Sequence, residues 1–444
     1  MIVSEMRKVC VTLMLLLSVA AWAAEPWDVW RCMEYAVANS HGVRRVELQR
    51  ESSQYAQVSA VGDFLPSVGA GMGAQFNFGR AIDPETNAYT NVSTLNNNYS
   101  LSTNFSIFEG LARIHALRGA KANSKYSEHH LAVFKERKRL ATFQAFVAVL
   151  YQQGRVELAE EKYRGSAALL SQAKKMKTLG RRSAVDVAQM ESEQAADEYL
   201  LTQERITLDR NLISLKHEMN YPITDTLILL HNTEGLCTET YALAPGVVSA
   251  AHPELASQHY VRESARYQWQ IARSTVLPSL SLSAGVGTNY NLALQMPHIK
   301  SFRQQFLDNA GQYVGLTLSI PLFNRLKTLN NIRRAKIDYL IACEDYEDKY
   351  CEMQRLYAEA VGDFSGYMAE TKQLERKVAS DSTTLALIQQ KYDEGLATFI
   401  DIQTARATLH GSRVALLRSR LMAVYSLQLI RYYCDGEIGR GRKE

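Results

Sequence analysis

The chain contains one unit twice, and this duplication constrains its fold more than any other feature of the sequence. Leu65-Pro66-Ser67 recurs as Leu277-Pro278-Ser279. Further along, at a slightly larger offset, Gly180–Val187 overlays Gly395–Ile402, with the glycine, the Ser or Thr, and the Asp of both segments aligned. Collinear matches this widely spaced indicate a tandem duplication rather than chance similarity.

The placement of proline predicts that very long helices dominate each copy. No proline lies between Pro84 and Pro222, and none lies from Leu322 to Glu444. An interior proline removes a helical hydrogen bond and clashes with the preceding turn, so such stretches favour uninterrupted helices. At 1.5 Å per residue, a helix of about 69 residues would be roughly 100 Å long.

The predicted elements follow the same order in both copies. The first copy covers residues 24–219, the second covers 251–433, a linker lies at 220–250, and a flexible tail follows at 434–444. Helices are predicted at about 28–61, 110–178, 183–219, 252–275, 325–393 and 398–432. Strands are predicted at about 64–80, 99–108, 278–292 and 313–322, with polar loops near 80–98 and 293–312.

The four strands are identified by alternation with a period of two residues. Every second residue is apolar or alanine, as at Ala70, Met72 and Ala74, and the residues between them are mostly glycine, serine or asparagine. Runs of about ten residues with one apolar face and one uncharged polar face are typical of transmembrane β-strands. A half-buried sheet in a soluble domain is the alternative, although its wet face would usually carry Lys or Glu.

Four strands per chain are too few to close a membrane barrel, which needs about eight. An open sheet in lipid would leave backbone groups without hydrogen-bond partners. Two chains would supply eight strands around a filled interior, whereas three would supply twelve and leave a lumen. A cyclic trimer is therefore predicted.

The N-terminus is typical of a secretory signal peptide, predicted at residues 1–23. Arg7 and Lys8 precede an apolar run from Val9 to Val19, and Ala21-Trp22-Ala23 supplies the small residues of a cleavage site. This run is too short to span a bilayer, and no later stretch of about 18 apolar residues occurs. A membrane-spanning helix is therefore not expected.

Composition and motifs argue against several classes of protein. The 50 Lys and Arg residues nearly balance the 46 Asp and Glu residues, which is unlike a protein that binds nucleic acid backbones. The glycines of Gly69–Gly73 lie within an alternating strand and open no helix, so they do not indicate a nucleotide-binding loop. His217-Glu218 lacks the second histidine of a zinc protease motif. No enzymatic activity, catalytic residue, metal site or cofactor is predicted.

Several motifs together resemble the TolC-type outer membrane factor family over nearly the whole mature chain. They are Leu-Pro-Ser at the first strand of each copy, Pro321-Leu322-Phe323 before the second long helix, Phe78–Asn87, and the two Gly-x-x-(Ser/Thr)-x-x-Asp turns. The resemblance implies a mixed α+β, mainly α fold. It also implies a trimer in which twelve strands form a β-barrel in the outer membrane and long coiled-coil helices form a tunnel that extends into the periplasm.

The resemblance further implies a passive exit duct for small molecules in a tripartite efflux system. Its partners would be a periplasmic adaptor protein and an inner-membrane RND or ABC transporter. Two alternatives stay open: a type I secretion duct for polypeptides and, from a different class, a tether that spans the envelope without conducting. Pump genes of the resistance class or of the ABC exporter class beside this gene would discriminate the two ducts.

The resemblance also places the two glycine turns at the periplasmic tip, where the helices converge to close the tunnel. Gly180 and Gly395 suit turns that need a positive φ. Ser183 and Thr398 are positioned to cap the helices that follow.

Charged residues near the turns are candidates for the aperture. Three copies of Asp401 would form a negative ring that favours cations. Alternatively, Asp186 and Asp401 only stabilise the N-termini of the helices that follow the turns.

Tyr392 matches a tyrosine that contributes to gating in the family. Two other positions depart from the family pattern, since Ala397 stands where an arginine is usual and Thr404 where an acidic residue is usual. The contacts that close the aperture must therefore differ, and Arg181 or Arg182 of the first copy is the candidate replacement.

Overall fold

The computed structural model describes residues 26–82, 88–91, 93–180, 182–230, 252–294 and 300–438. The predicted signal peptide, Arg181, most of the predicted linker and the end of the predicted tail lie outside this part of the chain. The chain forms two compact units. The sheet unit comprises Gln49–Glu128 and Ser257–Asp348, and the helical unit comprises the described residues up to Leu48, His129–Ala256 and those from Lys349 onward.

The described residues form eight helices and six strands. The helices are α1 Val29–Asn39, α2 His41–Gly62, α3 Ala112–Thr178, α4 Ala184–Met219, α5 Pro253–Ser274, α6 Phe302–Asp308, α7 Lys327–Asp393 and α8 Phe399–Asp435. The strands are β1 Ser67–Asn77, β2 Arg80–Ile82, β3 Tyr89–Asn91, β4 Thr94–Glu109, β5 Ser279–Ala293 and β6 Gly311–Ser319. The fold is mainly helical with a small antiparallel sheet, as predicted.

The duplication is visible in the lengths and positions of equivalent helices. α2 and α5 each have 22 residues, and their first residues, His41 and Pro253, stand at the same offset as the two Leu-Pro-Ser motifs. α3 and α7 each have 67 residues, and their first residues, Ala112 and Lys327, stand at the same offset as the two glycine turns. The predicted tandem duplication is therefore confirmed.

The prediction of one leading helix at about 28–61 is wrong, because Ser40 interrupts it. The backbone of Ser40 is extended, with φ −72° and ψ 120°. Its hydroxyl accepts a 3.3 Å hydrogen bond from the N–H of Val43 in α2. Serine side chains compete with helical hydrogen bonds and favour the start of a helix. Ser40 therefore separates α1 from α2.

One strand boundary and one loop also differ from prediction. The hairpin of β1 and β4 pairs as far as Asn77 with Thr94, so β4 begins before the predicted residue 99. The predicted polar loop near 293–312 contains α6, which Ser301 caps by accepting from the N–H of Gln304. The ring of Phe306 in α6 packs against Tyr99 at 5.5 Å between centroids, which holds this helix to the sheet.

The predicted flexible tail is wrong for its first residues. α8 continues to Asp435, and Gly436 ends it in the left-handed conformation at φ +78°. Ile438 is buried in the core of the helical unit, and its N–H donates a 2.9 Å hydrogen bond to the Glu136 carboxylate. Apolar burial and this bond fix the chain through residue 438.

The four long strands form one antiparallel sheet in the order β1-β4-β5-β6. Directly opposite residues share a face. One face carries apolar rows, among them Ala70 beside Leu101 beside Val286, and Phe105 beside Leu282 beside Leu316. The other face carries small polar rows, among them Gly69 beside Ser102 beside Gly285, and Gly71 beside Ser100 beside Gly287. The predicted alternation is therefore present across all four strands.

The apolar face of this sheet is open to its surroundings. Val68, Met72 and Val314 are 70%, 80% and 78% exposed. The charge on these strands is confined to Glu109 at the end of β4, whose carboxylate pairs with Arg113 at 3.3 Å. Each apolar Å² removed from water gains about 25 cal/mol, so this face favours an apolar phase or a protein partner.

The core of the helical unit is built on apolar stripes of two long helices. Phe143, Val147 and Leu150 of α3 are buried in one cluster with Leu421 and Val424 of α8. Spacings of three and four residues place each set on one stripe of its helix. These stripes join α3 to α8, and thus the first copy to the second.

A buried carboxylate links three other elements of the helical unit. Glu254 at the start of α5 is 8% exposed and accepts hydrogen bonds from the Tyr432 hydroxyl and from Arg137, the latter at 3.1 Å. The ammonium of Lys349 lies 3.0 Å from its second oxygen. Burial raises the pKa of Glu254, but the Tyr432 bond, Arg137 and Lys349 outweigh it, so the pKa lies below its ordinary value.

Glu254→Gln should lower the free energy of unfolding by about 1–3 kcal/mol at neutral pH, because Arg137 and Lys349 lose their buried anion. Since folding lowers the pKa of Glu254, its contribution is present above the ordinary glutamate pKa. The contribution disappears as the pH falls through the lower pKa of the folded state. Denaturant titration of the purified protein at neutral and acidic pH measures both effects.

The matched control is Glu191→Gln on α4, since both Glu191 and its partner Lys174 are about half exposed. Exposed pairs contribute little, so this control should leave the unfolding transition in place. Equal losses from the two substitutions would contradict a special role for Glu254.

Candidate functional site

Both glycine turns adopt the left-handed backbone that their sequence predicts. Gly180, between α3 and α4, has φ +72°, and Gly395, between α7 and α8, has φ +79°. The N–H of Gly180 donates to the carbonyl of Lys177, and that of Gly395 donates to the carbonyl of Tyr392, each at 3.0 Å. Residues with a Cβ atom rarely adopt this backbone, which is why glycine occupies both turns.

Each turn leads into a helix that begins with a capping box. The Ser183 hydroxyl accepts from the N–H of Asp186 at 3.1 Å, and the Asp186 carboxylate accepts from the N–H of Ser183 at 3.4 Å. Thr398 and Asp401 make the same exchange at 3.3 and 2.8 Å. Ser183 and Thr398 are therefore N-caps, as predicted, and both aspartates satisfy backbone donors at their helix starts.

Asp401 combines this capping role with exposure to solvent. Oδ2 accepts from both the N–H and the hydroxyl of Thr398, and these bonds lower the pKa of Asp401 below its ordinary value. The carboxylate is thus ionised across the neutral range while it lies on the surface of the chain. Asp186 is partly covered.

The structure brings Arg182 of the first copy onto Tyr392 of the second copy. The guanidinium carbon lies 4.2 Å from the centroid of the tyrosine ring, within the range of a cation–π interaction. Burial raises the pKa of Tyr392, so the phenol stays protonated. The tyrosine is 4% exposed and belongs to a core cluster with Leu169, Leu170, Ala173, Val187, Met190, Phe399 and Ile402.

The two positions that depart from the family pattern take other roles. Ala397 packs against the cluster around Tyr392. The hydroxyl of Thr404 donates to the carbonyl of Ile400 in its own helix at 2.8 Å. Arg181, the other candidate, lies outside the described residues, and Arg182 makes the contact with Tyr392.

Sequence reasoning missed a buried polar cluster near the same helix ends. The ammonium of Lys162 in α3 lies 2.5 Å from Asp197 and 3.5 Å from Glu193 of α4. Asp197 is 2% exposed, and the amide of Gln403 in α8 donates to Glu193. Glu193 and Asp197 are four residues apart and share a helix face. Helix α4 carries many other charges, so this spacing alone could not identify them.

Two other kinds of site are not found among the described residues. None of the described helices is both long and apolar enough to cross a bilayer. No group of three or more His, Cys, Asp or Glu side chains in the described ranges is arranged to hold a metal ion.

Comparison with known proteins finds relatives of the same architecture. Residues 245–431 match the family model described as outer membrane efflux protein. Outer membrane protein TolC of Vibrio cholerae is 20% identical over 422 residues, which cover 94% of this chain and 91% of TolC. The crystal structure of VceC from Vibrio cholerae superposes with a TM-score of 0.80 at 15% identity, covering 93% of this chain and 97% of VceC. The chain is thus similar in sequence to outer membrane efflux proteins over its second copy, and it shares the fold of TolC-type outer membrane channels over nearly its whole length.

These similarities confirm the predicted resemblance to the TolC-type family, the predicted fold class and the predicted location in the outer membrane of a Gram-negative type of envelope. The family comprises efflux and secretion channels of that membrane. One relative, the alkaline protease secretion protein AprF of Pseudomonas aeruginosa, is 24% identical over 198 residues. That match covers 45% of this chain and 40% of AprF.

Gly395→Ala should lower the free energy of unfolding by about 1–2 kcal/mol, since a Cβ atom disfavours the positive φ of this turn. The matched control is Gly411→Ala, in the interior of α8, where a Cβ atom would meet no other atom within 4 Å. That substitution should raise stability by up to about 1 kcal/mol through helix propensity. Denaturant titration of both variants measures the difference, and destabilisation of both would contradict the backbone explanation.

Proposed function

We propose that the chain is the outer-membrane exit duct of a tripartite efflux system. Three copies join their sheets edge to edge into a twelve-stranded β-barrel, and their long helices form a tunnel that extends into the periplasm. Small molecules pass through it from an inner-membrane RND or ABC transporter, with which a periplasmic adaptor connects it. The duct catalyses no reaction.

One observation carries this proposal: the sheet cannot complete itself within one chain. Among the described residues, β1 and β6 are the edges of the four-stranded sheet, and each pairs on one side only. In lipid, every backbone donor and acceptor must find a partner, so open edges require further strands. Identical neighbours supply them, since β6 of one copy can pair with β1 of the next around a ring.

The two faces of the sheet support a conduit rather than a filled barrel. The exposed apolar face suits hydrocarbon, and the opposite face consists mostly of glycine, serine and asparagine, with Tyr313 as its one large side chain. Small polar residues on the inner face of twelve strands leave room for water. This arrangement favours a channel over the alternative of a non-conducting tether, which would need no polar inner face.

A secretion duct for polypeptides is the second candidate. The similarity to AprF, whose name describes protease secretion, favours it. The description of the matching family model favours efflux. Deletion of the gene in its host discriminates the two, because an efflux duct predicts increased sensitivity to dyes and detergents whereas a secretion duct predicts loss of a secreted polypeptide.

Purified protein should run as a trimer in detergent and conduct ions in planar bilayers in small, discrete steps. The conductance is expected to be low because the helix ends converge at the aperture. Light scattering gives the subunit count and bilayer recording gives the conductance. A monodisperse monomer that stays in solution without detergent would contradict the proposal.

The aperture is assigned to the two turns and the residues around them. Gly180 and Gly395 form the turns, and Asp186 and Asp401 cap the helices that follow. The guanidinium of Arg182 on the ring of Tyr392 connects the first helix pair to the second. In a trimer, three exposed Asp401 carboxylates surround the axis and favour cations.

Asp401→Asn should reduce the preference for cations, because it removes three charges from the ring and keeps an oxygen that can accept from Thr398. The reversal potential across a bilayer with a salt gradient measures this preference. The matched control is Asp186→Asn at the equivalent position of the first copy, which should change the reversal potential less. Equal shifts from the two variants would assign the effect to the loss of helix capping rather than to the ring.

A further inference from the structure

The sheet unit carries an excess of positive charge where its long helices begin. Residues 112–127 contain Arg113, Arg118, Lys121 and Lys125 and no Asp or Glu. The equivalent stretch of the second copy, residues 327–342, contains four Lys or Arg residues and one acidic residue, Asp338. The whole chain is nearly balanced at +4, so this excess is local and occurs in both copies.

This charge pattern opposes the dipoles of the helices that carry it. A helix N-terminus is positive and favours Asp or Glu in the first turn. α4 and α8 follow this rule with Asp186 and Asp401, whereas α3 and α7 have no acidic residue in the first turn. The basic residues near the starts of α3 and α7 therefore gain no stabilisation from the helix dipoles.

Arg118 and Lys121 of α3 and Arg273 of α5 lie on helices that pack together, since a Cβ atom on Gly119 of α3 would lie 3.4 Å from the Cβ atom of Tyr267 of α5. Arg118, Lys121 and Arg273 are exposed, and none of them forms an ion pair with any described carboxylate. Arg118 and Arg273 lie near His115. Burial lowers the pKa of His115, and the charges of the two arginines lower it further. We name Arg118, Lys121 and Arg273 the cationic cluster.

The cationic cluster lies just beyond the end of the apolar face. β4 ends at Glu109 and α3 begins at Ala112. The guanidinium carbon of Arg113 is 5.9 Å from the ring of Phe105, which belongs to the apolar face. At 1.5 Å per residue, Arg118 and Lys121 lie roughly 9 and 14 Å along α3 from its start. Long side chains of this kind reach back to the headgroup layer of a bilayer.

An aromatic pair lies beside the cluster. Arg273 covers the ring of Trp269 at 5.4 Å, and Trp269 stacks on Tyr339 at 5.9 Å between centroids. The indole N–H of Trp269 is buried and has no hydrogen-bond partner among the described residues. Trp and Tyr are enriched at membrane interfaces, and a pair of these rings beside exposed cations fits that position.

We propose that the cationic cluster binds the phosphate groups of anionic phospholipids in the leaflet that faces the periplasm. The proposal rests on the membrane position of the sheet under the proposed function. Arginine binds phosphate oxygens through two parallel hydrogen bonds, and lysine adds a point charge. The phosphates neutralise cations that the chain itself leaves unpaired.

The test is a titration of the purified trimer in neutral detergent with phosphatidylglycerol, or with phosphatidylcholine for comparison. Native mass spectrometry counts the bound lipids. The variant is Arg118→Gln, Lys121→Gln and Arg273→Gln together. The matched control is Lys174→Gln, Lys175→Gln and Lys177→Gln, which removes three cations from the opposite end of α3.

Wild type and the control should bind phosphatidylglycerol in preference to phosphatidylcholine. The cluster variant should bind phosphatidylglycerol at least about tenfold more weakly, since each cation near a charged lipid surface contributes roughly fivefold. Raised salt should weaken the wild-type preference.

Three results would overturn the proposal. The first is a wild type without preference for the anionic lipid. The second is a cluster variant that keeps lipid binding but shifts the reversal potential towards cations, which would place the cluster at the water-filled conduit. The third is a cluster variant that dissociates into monomers, which would assign the cations to a second copy of the chain.

Bilayer recording of the wild type separates this proposal from the proposed function. A wild type that conducts but binds the two lipids equally contradicts the lipid site alone. A wild type that does not conduct contradicts the duct, whatever its lipid preference.

Discussion

The four-stranded sheet constrains the structure most. It has two open edges and an exposed apolar face, so it cannot be stable in water by itself. The exposed rows that include Val68, Met72 and Val314 need an apolar phase, and the edges β1 and β6 need hydrogen-bond partners. Under the proposed function, insertion in a membrane meets the first need and assembly with identical copies meets the second. Neither process meets both needs, so insertion and assembly are coupled. In water, the sheet needs to stay covered until both processes are possible.

In the helical unit, the main constraint is that the ends of very long helices must be fixed. α3 and α7 each have 67 residues, and such helices need defined ends because a shift by one residue rotates every core side chain away from its partner. The positive φ of Gly180 and Gly395 ends one helix, and a capping box starts the next a few residues later. Turns defined this closely by local chemistry fix the residues at which α4 and α8 begin.

Sequence patterns predicted what depends on local periodicity and missed what depends on contacts between distant residues. The duplication, the alternation of the strands, the glycine turns and the caps at Ser183 and Thr398 all follow from neighbours in the sequence. The break at Ser40 was missed because serine is tolerated within helices, and only its bond to Val43 makes it a cap. Ile438 was placed in a flexible tail because its position depends on a bond to the first copy, far away in the sequence. The cluster of Lys162 with Asp197 was missed for the same reason.

The contact between Arg182 and Tyr392 shows how the two copies have become different. When the two glycine turns are aligned, Arg182 corresponds to Ala397, the position at which an arginine is usual in the family, and Tyr392 corresponds to Lys177. The second copy thus keeps the aromatic ring and lacks the cation, while the first copy supplies a cation at the equivalent turn and has no ring. The Arg182 guanidinium of one turn supplies the cation for the Tyr392 ring of the other turn, 4.2 Å from the ring centroid. Neither copy could make this contact with itself, so the divergence of the duplicated turns makes each dependent on the other at the tip of the helical unit.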